Sequence, residues 1–352
     1  MGGTIRGPRP SGAAATWPPK GTVMTPTAHT GTRNEGGTVV VGVDGSDRSR
    51  LALKWAADEA RRRGSTLGVL YAQLHPPEHP PAWYDPGDSE APPGRAVVDD
   101  AVGLAATRHP SLPVNGEVVE WPAALVLTSV SRDADLLVVG ARGVGGFKEL
   151  LLGSVSDQCI QYAHCPVAVV HGESEDPTYE SAEPLVVVGI DGSPGSGRAL
   201  RWALGEARIR SAAVEAVFAW HYPALHTGMT GPTDKYRTAA DQVVDSATSW
   251  AAEWGPDVSF DASARGEATV PALIGASEGA DLLVVGSHGR GGFHDALLGS
   301  AAHQAARHAT CPVVVVRPRI DEEDEEEERA NLWTGTVAAS GTTGPGPAAV
   351  DR

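Results

Sequence analysis

The sequence predicts an α/β protein built from two tandem copies of one unit. Each copy is expected to be an open, five-stranded parallel sheet with helices on both faces, Rossmann-like. Three observations predict this. The chain repeats itself, its Val/Leu-rich runs alternate with helical stretches, and each copy carries one glycine-rich loop behind an apolar run. "TVVVGVDGSDRSRLALKWAADEARRRG" (38–64) aligns with "PLVVVGIDGSPGSGRALRWALGEARIR" (184–210). "ADLLVVGARGVGGFKELLLGSVSDQCIQYAHCPVAVV" (134–170) aligns with "ADLLVVGSHGRGGFHDALLGSAAHQAARHATCPVVVV" (280–316), with 22 identities over 37 positions and no gap. A spacing of about 146 residues is too long for a solenoid and fits a duplicated domain.

The elements of the first copy follow in order. Val39–Val43 is an apolar strand, and a helix starts near Asp47 with Leu51, Trp55 and Ala56 on one face. Leu67–Ala72 is the second strand, and the Pro-rich stretch 76–94 is a loop. A helix near Arg95–Arg108, a strand at Val114–Glu120 and a helix from Pro122 come next. Strand Leu136–Gly140, the glycine loop, a helix from Ser154 and strand Val167–Val170 complete the copy. The second copy repeats the series from Leu185 to Val316. Continuous Val/Leu strands between helices indicate a parallel sheet covered on both faces.

The expected boundaries are a disordered extension (1–37), one domain (38–171), a polar linker (172–183), a second domain (184–318) and an acidic disordered tail (319–352). The extension has no apolar signal-peptide core, and Met24 within it is a second candidate start. Formal net charge is −16, and "DEEDEEEE" at 321–328 supplies half of it. The remaining −8 argues against nucleic-acid or membrane partners. No apolar run reaches the roughly 20 residues of a membrane span. The three cysteines, Cys159, Cys165 and Cys311, make no disulfide framework and read as small core residues. No Cys/His cluster suggests a metal site. A cytoplasmic protein is expected.

Ligands of open parallel sheets bind beyond the carboxyl ends of the strands. Two features converge there. "GVDGS" and "GIDGS" end the first strand of each copy, with Gly42 and Asp44, then Gly189 and Asp191. The acid can accept hydrogen bonds from ribose hydroxyls, and the glycine is expected to leave room for a base or sugar. The loop behind the fourth strand carries Gly140, Arg142, Gly143, Gly145 and Gly146, and closes on Gly153, Ser154, Val155 and Ser156. Its counterpart carries Gly286, His288, Gly289, Gly291 and Gly292, and closes on Gly299, Ser300, Ala301 and Ala302. Gly140 and Gly143 are expected to free the backbone to turn toward a ligand. A helix N-terminus offers N–H groups and partial positive charge to a phosphate. Ser154 is expected as N-cap and phosphate donor, and Ser156 as a second hydroxyl.

Several chemistries are excluded by pattern. Neither loop has the lysine that follows the last glycine of a Walker loop. Lys148 in the first loop faces His294 in the second. No GxGxxG follows the first strands, and no GxSxG or HExxH motif is present. Nothing pairs a nucleophile with a base, so a protein that holds a nucleotide is expected rather than an enzyme.

The pattern G-2x-G-9x-G-S, occurring twice with "VVVGVDGS", "VVVGIDGS", "CPVAVV" and "CPVVVV", resembles the universal stress protein family in its tandem, ATP-binding form. The resemblance covers about 38–317. It implies strand order 3-2-1-4-5 and ATP or another adenine nucleotide at each site, with or without Mg2+. It implies that Asp44 and Asp191 hold the ribose, that the backbone near Ala72 and Ala219 reads adenine, and that the loop residues cradle phosphate. It further implies pairing of the two copies through their last strands, and leaves a homodimer open. A stress-response regulator is the function implied. A slow ATPase or phosphotransferase, and a scaffold without nucleotide, are the alternatives. Because Ser156 becomes Ala302, the first site is expected to bind ATP more tightly.

Overall fold

The computed structural model describes residues 37–73, 94–143, 151–172, 183–220, 233–289 and 298–318. The expected N-terminal extension, Pro-rich loop, central linker and acidic tail therefore lie outside the described residues. Gly145, Gly146, Lys148, Gly291, Gly292 and His294 do as well.

The first half runs β1 (Thr38–Gly42), α1 (Asp47–Arg63), β2 (Thr66–Ala72), α2 (Gly94–Arg108), β3 (Val114–Val119), α3 (Ala123–Val130), β4 (Leu136–Gly140), α4 (Ser154–Tyr162) and β5 (Val167–Val170). The second runs β6 (Leu185–Ile190), α5 (Pro194–Arg210), β7 (Ala213–Ala219), α6 (Thr233–Trp254), β8 (Phe260–Arg265), α7 (Thr269–Ser277), β9 (Leu282–Gly286), α8 (Ser300–His308) and β10 (Val313–Val316).

The strands form one ten-stranded sheet, ordered β3-β2-β1-β4-β5-β10-β9-β6-β7-β8. Each half has the expected 3-2-1-4-5 order, but the two five-stranded sheets are joined. Neighbours are parallel within each half. At the centre β5 and β10 pair antiparallel, Val167 with Val315 and Val169 with Val313. The reason lies in their sequences. "VAVV" and "VVVV" are fully buried strands that would be aggregation-prone as edges. Pro166 and Pro312 precede them, where a missing N–H costs no ladder bond, and their carbonyls accept from Leu137 and Leu283.

Two apolar layers sandwich the sheet. One holds Trp55 and Leu53 of α1 with Leu200 and Leu204 of α5; the other holds Leu127 of α3, Ile160 of α4, Leu273 of α7 and Ala306 of α8. All three cysteines are buried as small core residues. Burial pushes the Cys159 thiol up to about 12 and that of Cys311 up to about 11.

The halves are also joined by a buried ionic cross between α1 and α5. Arg63 Nε donates to Glu59 at 2.5 Å, and its Nη2 donates to Glu206. Arg210 mirrors it, donating to Glu206 and Glu59 at 2.5 Å each. The Arg63 guanidinium lies 5.4 Å from the Trp202 ring centre and that of Arg210 5.5 Å from Trp55. Burial, then the charge of Glu59, pushes Glu206 up to about 7 against the pull of both arginines. Burial acts the same way on Glu59, but Arg210 and Arg63 outweigh it and hold that carboxyl below its ordinary value. On the opposite face, His303 of α8 meets Asp157 of α4 at 3.0 Å. His171 reaches the Ala306 carbonyl at 2.9 Å, and Arg317 donates to the Ile160 carbonyl at 3.1 Å.

Candidate functional site

A cavity of about 530 Å³ opens in the first half at the carboxyl ends of β1, β2 and β4. Its walls combine Gly42–Asp44, Leu70 and Ala72 with Ala123, Val126 and Leu127 of α3. The loop residues Gly140, Arg142 and Gly143, and Gly153–Ser156 at the start of α4, complete it. That size falls within the range of small-molecule sites. One end is carbon-lined. The other combines a carboxylate, a guanidinium and a helix N-terminus.

The strand-end acid is held by its own turn. Asp44 Oδ1 accepts from the Ser46 N–H at 3.0 Å and the Ser46 hydroxyl at 2.6 Å. Gly45 between them has φ +83°, which glycine adopts without steric cost. Ser46 is then the N-cap of α1, accepting from Ser49 N–H at 3.1 Å. The second half repeats this: Asp191 Oδ1 accepts from Ser193 N–H at 2.9 Å, Gly192 has φ +78°, and Ser193 caps α5. "DGS" is therefore a turn-and-cap device as well as a source of a carboxylate. Sequence reasoning passed over Ser46 and Ser193, although a serine just before an amphipathic helix signals an N-cap.

Gly143 ties the acid to the loop. A Cβ at Gly143 would lie 2.2 Å from Asp44 Oδ2, and one at Gly289 would lie 2.4 Å from Asp191 Oδ2. A larger residue at either place would push the carboxylate aside. The loop is pinned at its base, where Gly153 N–H donates to the Ala141 carbonyl at 2.7 Å, as Gly299 does to Ser287.

Gly42 lines the cavity, and what a Cβ there would meet is Leu127 of α3, with its Cδ1 at 2.9 Å. At Gly140 the constraint is helix α1, because a Cβ would lie 3.0 Å from the Arg48 carbonyl oxygen. Ser154 is not the N-cap of α4. Gly153 holds that position without a side-chain bond, and Ser154 is the exposed first helical residue. Ser156 is buried and donates its hydroxyl proton to the Gly140 carbonyl at 2.6 Å, so it braces the loop rather than facing outward as a donor.

Ala72 stands where expected, at the carbon-lined end, and Val155 lines the wall beside the α4 start. The second half repeats the framework. A Cβ at Gly189 would lie 3.0 Å from Leu273 Cδ2, and one at Gly286 2.7 Å from the Gly195 carbonyl oxygen. Ala219 ends β7, and Gly299, Ser300, Ala301 and Ala302 open α8. Ser287 Oγ lies 3.0 Å from Nδ1 of His288. Among the described residues no group of three or more His, Cys, Asp or Glu side chains could hold a metal ion, and no helix is long and apolar enough to cross a membrane.

The sequence profile of the Universal stress protein family matches residues 37–171 and again 185–317. The chain belongs to this family. A universal stress protein of Mycobacterium tuberculosis strain H37Rv is 33% identical over 295 residues, covering 79% of this chain and 96% of its own. One from Mycolicibacterium smegmatis is 34% identical over 295 residues, covering 80% and 97%. Among solved structures, a universal stress protein from Archaeoglobus fulgidus matches with TM-score 0.57 at 19% identity, covering 82% of this chain and 98% of that chain. It shares the fold.

Proposed function

We propose that the chain is an adenine-nucleotide-binding stress-response regulator of the cytoplasm, one that holds ATP rather than turning it over. The observation that carries this reading is the approach of Gly143 to the Asp44 carboxylate at the mouth of a cavity bounded by the α4 N-terminus. Asp44 lines the cavity, and a carboxylate, which accepts hydrogen bonds only, suits ribose hydroxyls. The carbon-lined end suits a base held by Ala72. Arg142 and the first N–H groups of α4 suit phosphates. Among the described lining residues Asp44 is the one carboxylate, and Mg2+ fits as a companion of the phosphates rather than a resident ion. Ala219, Asp191, His288, Gly289 and the α8 start offer the same framework in the second half.

The test is mass spectrometry of small molecules released by denaturing the purified chain, paired with thermal melts with and without ATP. An adenine nucleotide, at least one per chain, and a raised Tm are expected. No released nucleotide and no Tm shift in millimolar ATP would refute the reading. Phosphate release at about 1 per second or faster would replace the holder with an enzyme.

A further inference from the structure

Resting on the nucleotide reading above, we infer that the two halves select different bases, and that Arg265 makes the second half a site for a guanine-type nucleotide. Strand register supports this. Ala72 at the first cavity pairs with Val119 of β3, whereas Ala219 pairs with Arg265 of β8. Directly paired residues project from the same face of a sheet, so Arg265 belongs to the base end of the second site.

The remaining walls change in the same direction. Leu70 is replaced by Val217 and Val126 by Ala272, which removes one and two carbons respectively. Ala123 is replaced by Thr269, which adds a hydroxyl. Arg265 is fixed beside Ala272. Its Nη2 donates to Glu215 Oε1 at 2.8 Å, and its Nη1 lies 3.4 Å from the Ala272 carbonyl oxygen. In the first half Gly68 stands at the place of Glu215, so that wall has neither the cation nor its anchor.

The chemistry of the two ends then differs. Guanidinium carries five N–H donors and no acceptor. It rewards a base edge of acceptors, as guanine presents with O6 and N7, and is opposed by the amino group that adenine carries at the same corner. The first site offers carbon only at that position, which favours adenine held by strand backbone.

Equilibrium dialysis with labelled ATP and labelled GTP tests the inference on full-length chains. Gly153→Val leaves the second site open, and Gly299→Val leaves the first. Gly153→Val is expected to bind GTP at least about tenfold more tightly than ATP, and Gly299→Val the reverse. Adding Arg265→Val to Gly153→Val should lower the GTP-to-ATP preference by about tenfold or more. Arg265→Val alone should keep wild-type ATP binding at the first site, which shows that the chain still folds. An ATP preference in Gly153→Val, equal binding of both nucleotides, or an unchanged ratio after Arg265→Val would overturn the inference while leaving the nucleotide reading standing. Failure of wild type to bind either nucleotide would overturn both.

Discussion

At the base of the glycine loop the first half carries Ala141 and Ser156, and the second carries Ser287 and Ala302. One hydroxyl has moved from the helix to the strand end. In the first half it donates from the helix back to the Gly140 carbonyl. In the second it lies at the strand end beside the His288 ring. Both positions are buried. The contrast teaches that this hydroxyl supports the loop, so Ser156 against Ala302 gives no reason to rank the two sites by phosphate affinity. The glycines facing the acids, and the acids themselves, are the same in both halves. The base ends are not. On the nucleotide reading proposed above, the duplication repeats the residues proposed for phosphate and ribose and varies those around the proposed base end.

The largest expected effect tests whether the halves are equivalent where they meet. Glu59 and Glu206 occupy matching places in the ionic cross, and each is flanked by both arginines. Removing one carboxylate leaves buried arginine charge uncompensated. Glu59→Ala and Glu206→Ala should each cost about 3–5 kcal/mol in urea unfolding near pH 8. A benign result for either one would break the equivalence.

Titration separates the same pair. An unfolded glutamate loses its proton near 4.5, whereas Glu206 in the folded chain is pushed up to about 7. Between these values the folded state holds a proton that the unfolded state has lost. Its contribution to stability should therefore fall as pH rises from about 4.5 through 7, and Glu206→Gln should flatten that slope. Glu59, held below its ordinary value, acts in the opposite sense: its contribution is present above 4.5 and disappears on acidification. Urea unfolding across pH, wild type against Glu206→Gln, reads the difference. A slope unchanged by the substitution would contradict the assignment.

A smaller effect is expected at the glycines behind the fourth strands. A Cβ would lie 3.0 Å from the Arg48 carbonyl at Gly140, and 2.7 Å from the Gly195 carbonyl at Gly286. Both neighbours are helix backbone and yield little. Gly140→Ala and Gly286→Ala should each cost about 1–3 kcal/mol, more at Gly286. Equal melting temperatures would mean that the tighter second half relaxes more readily than its geometry implies. The smallest effect belongs to the Asp157–His303 contact, whose side chains are about one-third exposed. His303→Ala should change stability by less than about 1 kcal/mol. A larger loss would give this contact a part in joining the halves that its exposure does not suggest.

The fold was legible because burial on both faces writes parallel strands as unbroken Val/Leu runs, and the repeat gave every element a second reading. Strand limits shifted by a residue or so, as at β2, which begins at Thr66 rather than Leu67. Joining into a single sheet was foreshadowed by "VAVV" and "VVVV" after proline. The described residues expected at the first site line one cavity, but the packing reasons behind several were not legible. Gly42, Gly140 and Ser156 read as ligand contacts, yet their constraints come from Leu127, the Arg48 carbonyl and the Gly140 carbonyl. Those partners are distant in sequence, so no local pattern reports them. The ionic cross is likewise invisible in sequence, since Glu59 and Glu206 look like ordinary charges on amphipathic helices.

Calorimetric titration of ATP, and separately of GTP, into Gly143→Val, Gly289→Val and the double variant tests the central claim most directly. Each substitution fills the gap between a loop and its carboxylate, 2.2 Å from Asp44 and 2.4 Å from Asp191 at the Cβ. The account predicts that each single variant loses the nucleotide binding of its own half and that the double variant gives no heat, while all three keep a cooperative thermal transition. Wild-type binding by a folded double variant would contradict it.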